Sequence, residues 1–272
     1  MRYRLLGLVL LATIAVASVY AMYSVRTDAS ETAMPRMADG HPDLNGYWYR
    51  RLPPLTPVRK EGASIILDPD GPRENLPPSG NDDELLPGFP KYKPEYLAKV
   101  KELSDNQVKF DTALQCQPPG VPRIGPPQKI VQTAREMVFL YDDLNGPFFR
   151  VIPIDGQTHR PATEWRSYLG DAVGKWEDDT LVVETINFND ETWLIDNGAF
   201  HTLDLRVVER LRRTGDKLEY RVTSHDPAVL AEPWEGRLRT LQMTDREIDE
   251  PLRCEDRDLE HVVNGAHHDN VR

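Results

Sequence analysis

LDLRVVERLRRTGDKLEYRVT, residues 203–223, is the stretch that decides the fold. Leu205, Val207, Glu209 and Leu211 alternate with Arg206, Val208, Arg210 and Arg212. Successive residues of a strand point to opposite faces, so one face is made for a core and the other for water. Thr214-Gly215-Asp216 then interrupts the run before KLEYRVT resumes it, which is the pattern of a hairpin. The same pattern recurs on both sides. KIVQT and EMVFLYD flank Ala134-Arg135, and PFFRVIPIDG follows. GKW and TLVVETINF flank Glu177-Asp178-Asp179, while GRLRTLQM and a short REIDE flank Thr244-Asp245. This spacing predicts eight or nine short strands from Gln128 onward, with no helix long enough for a parallel crossover. The expected class is all-β: a single antiparallel lipocalin-like barrel, or a strongly curled meander sheet, over residues 128–260. Closure removes unpaired edges.

Toward the N terminus the composition changes. The segment MRYRLLGLVLLATIAVASVYAMYSV, residues 1–25, has a basic start and an uncharged apolar run, and reads as a signal peptide or signal-anchor. The expected localisation is therefore periplasmic or secreted, with any membrane attachment made through residues 5–25 alone. Residues 26–40 read as a polar tether. Residues 41–127 read as a proline-rich arm with a short strand at Tyr47–Tyr49 and one helix near 94–104. Proline lacks the N–H a ladder needs, so no ladder is expected between Leu52 and Pro94. Pro94 suits a first helical turn, and Val100 and Leu103 fall at helical spacing. Residues 261–272 form a charged tail that carries His261, His267 and His268.

The chain has 272 residues and a formal net charge of −11, which disfavours a nucleic-acid partner. The expected partner is an apolar small molecule. Two cysteines, Cys116 and Cys254, are too few for a CxxC metal or redox pair; in an oxidising compartment they are expected to form a disulfide. Nothing matches GxGxxG, a Walker loop, GxSxG or HExxH, so no cofactor and no metal is expected.

The candidate chemistry lies in carboxylates and histidines. Glu177, Asp178 and Asp179 sit at a hairpin tip and read as solvated turn residues. Glu209 falls on an apolar strand face. A buried carboxylate must be paired or hydrogen-bonded, so Glu209 is either a structural partner of an arginine or tyrosine, or a general acid/base in a cavity. Glu184, between Val182 and Ile186 on its face, is a second inward-facing candidate. His159, His201 and His225 fall at strand ends; His201, His225 and Asp226 are expected to gather at one rim. Trp165, Trp176 and Trp234 are expected near the ends of the cavity, and with His225 to contact the ligand.

The motifs DLNGYW, CQPPGVPR, DGQTHRP, GKWEDDTLVVETINF and HTLDLRVVER together resemble an uncharacterised family of exported bacterial proteins. That family reads CxPxGxPR, DGRxHP, GxWEGDTLVVDT and HxxxLxVVER, and the resemblance spans roughly residue 42 to the C terminus. Three positions depart from it. Arg160 stands where a proline would follow His159, Asp178 replaces the tip glycine, and Glu184 replaces an aspartate. The resemblance implies an exported β-rich fold, and His159, Trp176, Glu184, His201, Glu209 and Asp226 match its motif letters. The functional expectation is a cofactor-independent acid/base enzyme, an isomerase, lyase or hydratase. The alternatives are a periplasmic binding protein and an envelope protein that docks a partner chain.

Overall fold

A computed structural model describes residues 34–49, 88–143 and 145–249, and the backbone of 58–61 and 64–67. The unit considered is Arg36–Arg272. The expected signal segment, most of the tether and of the arm, the tail histidines and Cys254 lie outside the described residues, so the Cys116–Cys254 pairing does too. Among the described residues no helix is long and apolar enough to cross a membrane.

Twelve strands are described. They are β1 (Gly46–Tyr49), β2 (Val58–Glu61), β3 (Ser64–Leu67), β4 (Lys129–Gln132), β5 (Glu136–Asp143) and β6 (Gly146–Pro153), then β7 (Asp171–Glu177), β8 (Thr180–Ile186), β9 (Arg206–Thr214), β10 (Lys217–His225), β11 (Trp234–Glu235) and β12 (Arg239–Thr244). A 3₁₀ turn at Pro94–Tyr96 leads into helix α1 (Leu97–Asp105), followed by a single turn, α2 (Gln107–Phe110). The strands β6-β5-β4-β1-β12-β10-β9-β8-β7 form one antiparallel sheet that curls into a nearly closed barrel, and β11 pairs with β10 off this path.

The curling follows from the alternation. Leu205, Val207, Glu209 and Leu211 are all buried, while Arg206, Arg210 and Arg212 are exposed, as the opening stretch predicts. The buried set joins Leu181 and Val183 of β8, Leu218, Tyr220 and Val222 of β10, Ile130 of β4, Met137, Phe139 and Tyr141 of β5, and Ile152 of β6 in one core. Burying each such side chain is worth about 1.5–3 kcal/mol, and only a curled sheet brings all of them together. At the β7–β8 tip Asp178 adopts φ +51, a left-handed conformation that Asp tolerates better than most residues.

The class is the expected one, an antiparallel barrel, and three details within it differ. The strand order is not sequential throughout. β4-β5-β6 and the β7-to-β12 strands are joined by β1, whose register pairs Tyr47 with Thr244 on one side and Lys129 on the other. A short strand assigned to the arm is thus central, because its pairing is long-range. Second, β2 and β3 form a ladder, Val58 with Leu67 through Glu61 with Ser64, inside the stretch expected to have none. The run 58–68 has no proline, and the prolines only flank it. Third, REIDE makes no strand over its described residues 246–249.

The barrel stops short of closure between β6 and β7, which lie side by side without a ladder. Gly174 lets them approach: a Cβ there would sit 2.8 Å from Ile154 Cγ2. Further along, the seam opens.

Candidate functional site

Two groups of charged residues contain the sequence candidates, one inside the barrel and one outside it. Inside, Glu209 is fully buried and Arg150 of β6 nearly so. Arg150 donates to Glu209 Oε2 at 2.7 Å, to Thr185 Oγ1 at 2.7 Å and to Tyr141 Oη at 3.1 Å. Tyr220 donates to Glu209 Oε1 at 3.0 Å. Burial pushes the Tyr141 and Tyr220 phenols up, with the Glu209 charge adding to the effect, so both keep their protons. Burial works against the Arg150 charge, but Glu209 and Tyr141 together outweigh it and keep the guanidinium protonated. Both oxygens of Glu209 are therefore engaged. Of its two readings, the structural partner of an arginine and a tyrosine is the one these bonds describe.

Outside, the seam and the loop after β6 build a different arrangement. Glu184 is corrected first: it points to the outer face, opposite Thr185, because Leu181, Val183 and Thr185 take the inner one. Arg206 holds Glu184 Oε2, donating through Nε at 2.6 Å. The other oxygen, Oε1, lies 3.4 Å from His159 Nε2. This contact is too poorly aligned for a hydrogen bond, and Nε2, although buried, has no hydrogen-bond partner. The opposite ring nitrogen, Nδ1, is 3.2 Å from Asp171 Oδ2. A carboxylate beside Nδ1 calls for a proton on Nδ1 and orients the ring so that Nε2 faces Glu184.

Asp171 is itself locked. Its Oδ2 accepts from the Arg160 backbone N–H at 2.8 Å and its Oδ1 from Arg160 Nε at 2.8 Å. Gly170, at φ +69, makes the turn that delivers it; a Cβ there would meet Thr185 Cγ2 at 2.6 Å and Ile186 O at 2.8 Å. His159 is thus aimed by Asp171, which is aimed by Arg160 and Gly170. At the end of the chain His159 Nε2 faces Glu184 Oε1 at 3.4 Å without a hydrogen bond between them.

Beside this row the open part of the seam forms a cleft of about 580 Å³. Its walls include Phe149 and Val151 of β6, Arg160 and Trp165 of the loop, and Asp171 and Val173 of β7. Val173 is the cross-strand partner of Glu184, so the row and the cleft are neighbours on the outer face.

The other candidates lie apart. His201 is buried, with Nδ1 at 2.9 Å from Thr202 O and Nε2 at 2.8 Å from Thr192 Oγ1. Burial holds its pKa below the usual histidine value, so it is a neutral structural ring. Asp226 accepts from the Thr202 backbone N–H at 2.6 Å and from Thr202 Oγ1 at 3.0 Å. His201 and Asp226 thus meet at Thr202, as the rim expectation has it. His225 instead sits beside the outer row: it pairs with Arg206 across β9 and β10, and burial and that arginine lower its pKa against the opposing pull of Glu184. Trp176 stacks on His41 at 4.7 Å and Trp234 donates to Gly88 O at 2.8 Å, so neither lines the cleft. Of the expected ligand contacts, only Trp165 does. Among the described residues no group of three or more His, Cys, Asp and Glu converges to hold a metal ion.

Sequence reading missed Asp171, Arg160 and Arg150 as site builders. Arg150 shares a strand face with Ile152 and Phe148, an oddity of the kind that singled out Glu209. Asp171 carries no such signal, because its role depends on a loop returning from His159. Arg123 of CQPPGVPR was also missed. It grips the buried Asp111 through both terminal nitrogens, at 2.6 and 2.7 Å, and pins the segment before β4. Comparison with family models, curated proteins and solved structures found no match.

Proposed function

We propose that this protein is an exported acid/base enzyme that moves a proton on a small molecule held in the seam cleft. The observation that carries this reading is the 3.4 Å junction of His159 Nε2 and Glu184 Oε1, backed by Asp171 on one side and Arg206 on the other. Glu184 is the accessible member, with 37% of its side chain exposed, and serves as the proton carrier. His159, with its Nε2 buried, is the partner that takes or returns the proton, and Asp171 stabilises the imidazolium that forms. This is the nucleophile-free part of triad logic: a base, and a group that orients it. Proton transfer here uses only side chains of the chain itself. It suits an isomerase, in which a proton leaves one carbon and returns to another, or a lyase or hydratase, in which a hydroxyl leaves or adds as water.

A second reading has its own support. Arg206 holds Glu184 Oε2 and the His159 ring is largely covered, as expected of a binding protein with a charged rim and no turnover. Incubating the full-length chain with a cell extract, and comparing the extract and the retained compounds by mass spectrometry, separates the two. Wild type should retain a compound and convert it, and Glu184→Gln should retain it unconverted. Retention without conversion by both proteins replaces the enzyme with the binder.

A further inference from the structure

We infer that the seam cleft takes a small monocarboxylic acid with a flat apolar body. This inference rests on the cleft just assigned and names the class of its occupant. Arg160 is the recognising group. Its Nε is committed to Asp171, and its guanidinium lies 3.6 Å from the centroid of the Trp165 ring. Stacking fixes the plane of the guanidinium, and its terminal nitrogens have no partner among the described residues. More than half of the side chain is exposed. An arginine oriented in this way presents parallel N–H donors that match the two oxygens of a carboxylate.

The facing wall supplies the rest. Phe149 is 63% exposed and Val151 49%, two apolar side chains turned to the cleft from the outer face of β6. A ligand body lying between them and Trp165 removes that surface from water, at about 25 cal/mol per Å². The volume of about 580 Å³ suits a small molecule. Glu136, across from Pro153 on the β5–β6 side, also lines the cleft. Its charge disfavours a second carboxylate at that end, so the site selects a monoacid over a diacid.

The test is calorimetric titration of the full-length chain with benzoate, trans-cinnamate and hexanoate, each against its neutral amide. At least one acid should bind, about tenfold or more tighter than its amide, and Arg160→Gln should erase that preference. Because Arg160 also holds Asp171, a second variant guards against misfolding. Phe149→Asp changes a mostly exposed side chain and should abolish acid binding while leaving the circular dichroism spectrum and melting curve unchanged. No binding by any acid, equal binding of acid and amide, or a preference that survives Phe149→Asp overturns the inference. Acid-selective binding without conversion in any extract leaves the inference standing and rejects the enzyme. Conversion of neutral compounds alone does the reverse.

Discussion

The barrel holds two charged clusters on opposite faces of β8 and β9, and they are built to opposite ends. In the interior, Glu209 has a partner for each oxygen and no exposure, and Arg150 reaches three acceptors. On the outer face, His159 has a ring nitrogen without a partner, Glu184 is partly open to water, and a cleft lies alongside. The inner cluster is the more buried, and burial is what drew attention to Glu209 in the sequence. Burial alone marks a group that must be satisfied. Chemistry needs a group left unsatisfied where a ligand can reach it: the inner cluster leaves only Arg150 Nε unpartnered, a guanidinium N–H that keeps its proton, whereas the outer row leaves His159 Nε2 beside a half-exposed carboxylate and a cleft.

That contrast can be broken experimentally. The largest effect is expected from Arg150→Met, which leaves Glu209 charged and unpaired in the core and should cost about 3–5 kcal/mol in urea unfolding. Combining it with Glu209→Leu should recover much of that loss, since a well-packed apolar pair can replace a buried ion pair. An additive double mutant would show that the pair is not the unit.

A smaller effect concerns pH. The folded pKa of His201 lies below its ordinary value near 6.5, so folding favours the neutral ring. Its contribution to stability is complete above 6.5 and is lost as pH falls below that value toward the folded pKa. His201→Gln should therefore flatten the dependence of melting temperature on pH below about 6.5 relative to wild type. His159, as a proton partner, should instead affect conversion: His159→Gln should depress the rate across the whole pH range, read with the substrate the extract screen identifies.

The smallest effect is at the β7–β8 tip. Asp178 occupies a left-handed conformation that glycine adopts without strain, so Asp178→Gly should raise stability by a few tenths of a kcal/mol, up to about 1. A loss instead would mean that the Asp178 carboxylate stabilises the turn.

The parts of this arrangement legible in the sequence are those that alternation encodes. The β9 strand, the hairpin tips, the inward face of Glu209 and the helix at Pro94 all follow from local pattern, and the structure places them accordingly. Glu184 was misread because both faces of β8 are apolar. Val182 and Ile186 flank it outside as convincingly as Val183 does inside, and the direction is settled only by which neighbours β7 and β9 supply. The central place of β1 was illegible for a related reason, since four residues with no local partner say nothing about which distant strands receive them. His159 and Glu184 were each named, yet their approach depends on Asp171, which orients the ring, and on a loop whose path no periodicity records.

The most direct measurement is urea unfolding of Glu209→Gln and Glu184→Gln side by side. Glu209→Gln strands Arg150 in the core and should lose about 3–5 kcal/mol. Glu184→Gln gives up a half-exposed ion pair and should stay within about 1 kcal/mol of wild type. If Glu184→Gln were the more damaging of the two, the outer row would be the scaffold and the interior pair the place to look for chemistry.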